Sequence, residues 1–178
     1  PINALQAAME GYQVVLMENF VNRKILVKQG VRTREDDKHP NYPLLAWDGK
    51  GTRLAVLYND KGKTKFFVYD LVNRNKLWQH EIEKFDQIQD MKYMLDENTL
   101  LLSAVRKGQS DIFVYKIDQD KFEQVTNDAY SDLDATFVAF PNKQGIIFSS
   151  NRPNATIKGA DTGVATNRFN IFLADNYS

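Results

Sequence analysis

The chain has 178 residues, 43% of them hydrophobic, with 23 basic and 23 acidic side chains and no cysteine. That length carries one domain with a real core, or two small ones. The balanced charge gives no overall field for nucleic acid or an anionic membrane, and the missing cysteines exclude disulfides, thiolate catalysis and sulfur-ligated zinc.

In chain order, residues 3–11 (NALQAAMEG) have helical composition, with Gly11 as a stop. From residue 12 onward, apolar alternation rich in β-branched and aromatic residues predicts strands. YQVVLMEN (12–19) and RKILVKQG (23–30) come first. LLAW (44–47), TRLAVLYN (52–59), TKFFVYDL (64–71) and KLWQHEI (76–82) follow, then MKYM (91–94), NTLLLSAV (98–105), DIFVYKID (111–118) and FEQVT (122–126). TFVAF (136–140), GIIFSSN (145–151) and NIFLAD (170–175) complete the series. No apolar run approaches the length that spans a bilayer. A start at Pro1-Ile2-Asn3, without methionine or signal peptide, is what a processed product or an internal piece of a longer chain would show.

These strands repeat. Leu54, Leu100 and Ile146 open equivalent runs 46 residues apart, and Val56, Leu102 and Phe148 keep that spacing. On the next strand Phe67 and Phe113 are again 46 apart, whereas Phe172 lies 59 further on, which marks residues 153–168 as a loop insertion. Four short antiparallel strands per 40 to 50 residues are the pattern of a β-propeller blade, whose two apolar faces are covered by its neighbours. The expected architecture is therefore all-β: about three to four four-stranded blades, part of a larger or incomplete propeller. Residues 1–40 would form a partial first blade with a helical or lead-in segment, followed by blades over 41–82, 83–126 and 127–178. Phe66, Val68, Ile112, Val114, Ile171 and Leu173 are expected on one face, and Phe67, Tyr69, Phe113, Tyr115 and Phe172 on the other.

The unit YSDLDATFVAFPNKQGIIFSSNR with NRFNIFLAD resembles the WD40-like (PD40-type) repeat of the TolB family, and WDGKGTRLAVLYND with KFFVYD is a second copy. The usual Ser-Pro-Asp-Gly turn is replaced by Pro141-Asn142-Lys143 and Leu95-Asp96-Glu97, residues that include turn formers. The resemblance implies a bacterial cell-envelope protein, periplasmic or outer-membrane-associated, of Bacteroidetes-like origin. It also implies that an aspartate of the 128, 132 and 134 cluster ties the inter-blade loop.

Signals for chemistry are weak. No Gly-x-Ser-x-Gly elbow surrounds Ser149 or Ser150, which are expected to serve as strand-end residues. His39 and His80 lack a second ligand at metal spacing and read as solvated histidines. The aspartate cluster lacks the EF-hand order. Asp36 and Asp37 lie in a mixed-charge run, Gly49 and Gly51 in a hairpin turn, and Lys61, Lys63 and Lys65 on a charged hairpin that protects an edge. No catalytic residue, cofactor or metal is expected.

The longest and most charged segments should converge on one rim of the propeller, where loops carry binding function. Candidate partner-binding residues there are Arg34, Asp37, Tyr42, Tyr130, Arg152, Lys158, Asp161 and Arg168. The expected role is a non-enzymatic scaffold for protein partners in the envelope, with no nucleic acid and no membrane span in this segment, completed by blades or domains of a longer parent chain. Two rivals stand beside it: a propeller gating a prolyl-oligopeptidase-like or tricorn-like peptidase, and a peptidoglycan or carbohydrate binder.

Overall fold

The computed structural model describes residues 12–18, 21–28, 43–153 and 168–175. Within them every regular element is a β-strand, and every pairing is antiparallel. Strands β1 (Tyr12–Glu18) and β2 (Val21–Lys28) form a hairpin. Strands β3 (Leu44–Trp47), β4 (Arg53–Asp60), β5 (Lys63–Asp70) and β6 (Asn75–Ile82) form a four-stranded meander. A second meander follows with β7 (Gln87–Tyr93), β8 (Thr99–Arg106), β9 (Gln109–Lys116) and β10 (Lys121–Gln124). The last sheet contains β11 (Asp132–Phe140), β12 (Lys143–Ser150) and β13 (Asn170–Asp175). The helical segment expected at residues 3–11 lies outside the described residues.

The register verifies the repeat spacing. Val56 faces Phe67, Leu102 faces Phe113 and Phe148 faces Phe172, so the three sheets share one pairing scheme despite the longer connection in the last. Turn chemistry repeats with it. Lys61-Gly62 and Lys107-Gly108 occupy two-residue hairpins with positive φ at both positions (54° and 78°, 54° and 77°), the mirror-image turn whose twist matches the flanking strands. At the opposite end, buried Asp48 organises the turn before β4. Its Oδ1 accepts from the Thr52 and Arg53 N–H groups, each at 2.8 Å. Burial alone would raise its pKa, but these hydrogen bonds win and hold the carboxyl below the usual value.

Alternation then decides what each face covers. One face of the hairpin, Val14 and Leu16, packs on Leu54, Val56, Phe67 and Tyr69. The other face of that meander, with Ala55, Leu57, Phe66 and Val68, meets Leu100, Leu102, Phe113 and Tyr115 of the next. Ile112 and Val114 in turn meet Ala135, Ile146, Phe148 and Phe172. Fully burying one such side chain contributes roughly 1.5–3 kcal/mol, whereas exposed ion pairs such as Lys63–Glu81 are screened by solvent and add little. Sheet stacking therefore dominates the stability of this architecture.

One expectation is corrected. His80 is not a solvated outer-strand histidine but is half-buried, stacked on Phe66 with its Nε2 3.2 Å from the Ile117 carbonyl oxygen. The cause is a bulge: β6 pairs His80 with Phe66 and Leu77 with Val68, so an extra residue shifts the alternation there. Trp78, at φ 50°, sits in that bulge and remains exposed.

Candidate interaction face

In an antiparallel meander the hairpin joining the second and third strands lies at the same end as the exit of the fourth strand. The tips at residues 60–63 and 106–109, with the strand ends at 151–153 and 168–169, therefore share a rim with the connections 83–86 and 125–131. Hydrogen bonds fix these segments to one another. The Asp86 N–H donates to the Val105 carbonyl at 2.9 Å, the Gln109 side-chain amide donates to the Tyr130 carbonyl, and the Ser131 N–H donates to Asn151 Oδ1 at 2.8 Å.

At the third-to-fourth sheet junction the rim is held by an ionic clamp. Arg152 leaves the end of β12, and its Nη2 lies 2.8 Å from Asp132 Oδ2 and 2.9 Å from Asp128 Oδ2. Its Nε donates to Ser150 Oγ at 2.9 Å, and its backbone N–H to the same oxygen at 3.3 Å. The guanidinium lies over the rings of Phe148 (5.2 Å), Phe172 (5.3 Å) and Tyr130 (5.8 Å), an arrangement that its planar, delocalised charge favours. Asp132 is fully buried, and its second oxygen, Oδ1, has no hydrogen-bond partner. Nearby Asp111, at the start of the buried part of β9, accepts from Gln124 Nε2 at 3.1 Å and Thr126 Oγ1 at 3.4 Å. Burial, followed by the charges of Asp132 and Asp128, pushes its carboxyl above the usual value.

This arrangement positions a loop and does not resemble a nucleophilic site. Ser150 Oγ is an acceptor for Arg152, with no base oriented toward it, and the residue 46 positions earlier is Ala104. Asp134, the third member of the sequence cluster, sits exposed at φ 53° in the irregularity of β11. Among the described residues no group of three or more His, Cys, Asp or Glu is arranged to hold a metal ion. No helix among them is long and apolar enough to cross a membrane.

Of the candidate contact residues, Tyr130 and Arg152 are brought together, and Arg168 is exposed at the bend before β13. Arg34, Asp37, Tyr42, Lys158 and Asp161 lie outside the described residues. Sequence reading missed a related pair. Asp86 and Arg106 precede Asp132 and Arg152 by 46 residues each, and Arg106 lies 5.4 Å over Phe113 much as Arg152 lies over Phe172. The repeat spacing, applied to charged as well as apolar residues, would have found them.

Stacked antiparallel meanders in repeat register define β-propeller blades, and the blades of this chain are TolB-like. The chain is similar in structure to TolB from Acinetobacter baumannii, with a TM-score of 0.58 and 15% identity over 83% of this chain and 34% of that one. The matched part is thus about a third of the length of that TolB chain. A putative TolB from Agrobacterium tumefaciens aligns with 18% identity over 63% of this chain and 39% of that one, with a TM-score of 0.49. No family model and no curated protein matches the sequence.

Proposed function

We propose that this chain is a non-enzymatic propeller module that holds a protein partner at the rim described above, in the periplasm or at the outer membrane of a Bacteroidetes-like bacterium. The TolB-like fold supports the envelope setting. The observation that carries the binding role is the clamp itself. Arg152 fastens the 128–132 connection to the end of β12, so half-exposed Tyr130 is held in one pose at the rim before any partner arrives. Tyrosine and arginine are favoured interface anchors, and a contact already ordered costs less entropy on binding. Arg168, exposed before β13, adds a cation to the same rim, and Arg34, Asp37, Tyr42, Lys158 and Asp161 belong to the connecting segments proposed to complete the surface. The even overall charge favours a protein over a nucleic acid as partner.

The test is site-specific photocrosslinking in envelope preparations of the source bacterium. A photoreactive residue in place of Tyr130 or Arg168 is expected to yield a discrete protein adduct, and one in place of exposed Leu95, on the opposite rim, none. Equal adducts from both rims, or none from either, would remove the reading. Hydrolysis of peptide substrates by the purified chain would remove its non-enzymatic part.

A further inference from the structure

Lys61, Lys63 and Lys65 protect no edge. Their strands, β4 and β5, are the two inner strands of the first meander, each paired on both sides, as β8 and β9 are in the second. The tips of these inner hairpins repeat: Lys61-Gly62 and Lys107-Gly108 lie 46 residues apart, on the rim that carries Tyr130. A two-residue turn with positive φ at both positions asks for Asn, Asp or Gly at the first of them. Lysine stands there twice, at φ 54° in each case, an uncommon backbone conformation for a residue other than glycine. The turn does not account for the charge.

Neither lysine is used inside the molecule. Both are exposed, and among the described residues neither meets an acidic side chain. Their neighbours differ: Lys63 is held by Glu81, Lys65 by Asp60 at 2.9 Å, and Arg152 by Asp128 and Asp132. Asp86 reaches the second tip, but it accepts from the Gly108 N–H at 3.4 Å and not from Lys107. The two rims also differ in sign. The described connections on this rim carry five basic residues, Lys61, Lys84, Lys107, Arg152 and Arg168. Their acidic residues are three, Glu83, Asp86 and Asp128. On the opposite rim the balance reverses, with two basic residues, Lys50 and Arg74, and five acidic ones, Asp48, Asp96, Glu97, Asp118 and Asp120. A chain of zero net charge thus presents one positive face, which steers acidic partners toward itself.

We propose that Lys61 and Lys107 bind an acidic, extended segment of the partner protein, laid across the two hairpin tips. The inference rests on the reading that this rim holds a protein partner, and it names the chemistry of that partner. Stacked sheets lie about 10 Å apart and an extended chain rises about 3.3 Å per residue, so carboxylates about three positions apart reach successive tips. The Gln109 side-chain amide donates to the Tyr130 carbonyl, so the clamped loop adjoins the second tip and sets an aromatic anchor at one end of the cationic track.

Fluorescence anisotropy on the 178-residue chain at low salt is the test, with a labelled peptide of about twelve residues that carries Asp at every third position between Ser and Gly. This peptide is expected to bind, and its Asn counterpart is not. Lys61→Asn with Lys107→Asn should weaken binding about fivefold, as loss of two exposed ion pairs would. Asparagine suits both turns, so the variant keeps its fold. Arg74→Asn removes a cation from a turn residue of similar backbone, φ 56°, on the opposite rim and should change nothing. Three outcomes would overturn the proposal: no preference for the Asp peptide over its Asn counterpart, equal weakening by the double variant and by Arg74→Asn, or an oligothymidylate of matching charge that binds as tightly as the peptide. Photocrosslinking from position 130 separates this inference from the reading beneath it. In the Lys61→Asn, Lys107→Asn chain the protein adduct should diminish. An adduct at full yield there would leave the rim its partner and remove the acidic segment, whereas no adduct from any chain would remove both.

Discussion

The junction between the two four-stranded meanders and the junction between the second meander and the last sheet are built on the same repeat but closed differently. The first is apolar and aromatic: Phe66, Phe85, Phe113, Tyr115 and Phe122 interlock, with Phe85 and Phe113 rings 4.7 Å apart edge to face and Tyr115 stacked on Phe122 at 4.2 Å. The second carries fewer rings and ends in the Arg152, Asp132, Asp128 and Asp111 cluster. Each leaves one buried polar atom without a partner, Tyr93 Oη in the first and Asp132 Oδ1 in the second. Repetition therefore fixes the backbone and the apolar alternation, while local charge placement decides whether a junction tolerates loss of a polar group.

The largest expected effect breaks the ionic junction. Arg152→Ala removes the counter-ion of a fully buried carboxylate and should cost about 3–5 kcal/mol in urea unfolding, the penalty for stranding one member of a buried pair. The repeat-equivalent change, Arg106→Ala, loses a hydrogen bond to Gln124 Oε1 at 2.6 Å and a contact over Phe113. It should cost only about 1 kcal/mol. Similar losses for the two arginines would mean that the junctions do not differ as described.

How far this contrast could be read beforehand follows from how local its causes are. The blade architecture was legible because Leu54, Leu100 and Ile146 repeat at 46 residues, and a periodic apolar pattern survives tertiary context. A tie by some aspartate of the 128, 132 and 134 cluster was implied by the TolB-like motif, without saying which, and its partner Arg152 was read as part of a binding surface, since a loop arginine carries no sign of what it will meet. Asp111 gave no signal at all. Its character comes first from burial and then from Asp132 and Asp128, which the fold brings in from the sheet and connection that follow. The side-chain position of His80 was illegible for another reason: the bulge at Trp78 inserts one residue into β6 without any glycine or proline to announce it.

Tyr93 sharpens the comparison in the opposite direction. Its hydroxyl is buried without a hydrogen-bond partner against the apolar junction, and burial holds the phenol well above its usual ionisation range. Tyr93→Phe removes an unsatisfied group while keeping the ring, so it should stabilise the chain by up to about 1 kcal/mol, seen as a higher urea midpoint with an unchanged slope. A loss of stability would mean that the hydroxyl has a partner and that this junction is more polar than it looks.

The smallest effect is the most discriminating, because its sign depends on pH. Burial and the neighbouring Asp132 and Asp128 raise Asp111 above its ordinary value of 3.8, so the folded chain takes up a proton there before the unfolded chain does. Above the raised value the charged side chain opposes folding, and as pH falls toward 3.8 that opposition disappears. Asp111→Asn keeps one acceptor, for Gln124, and turns its amide N–H toward the Thr126 hydroxyl, which can accept; it should gain up to about 1 kcal/mol at neutral pH, an advantage that closes as pH drops through this window. Asp48, whose carboxyl is depressed, provides the mirror image: it contributes stability above 3.8 and loses it as pH falls through its lowered value. Asp48→Asn should therefore be destabilising at neutral pH and approach the parent in acid. Urea midpoints of the parent and both variants across that pH range would display the two opposite trends, and parallel curves would remove the charge-repulsion account of the ionic junction.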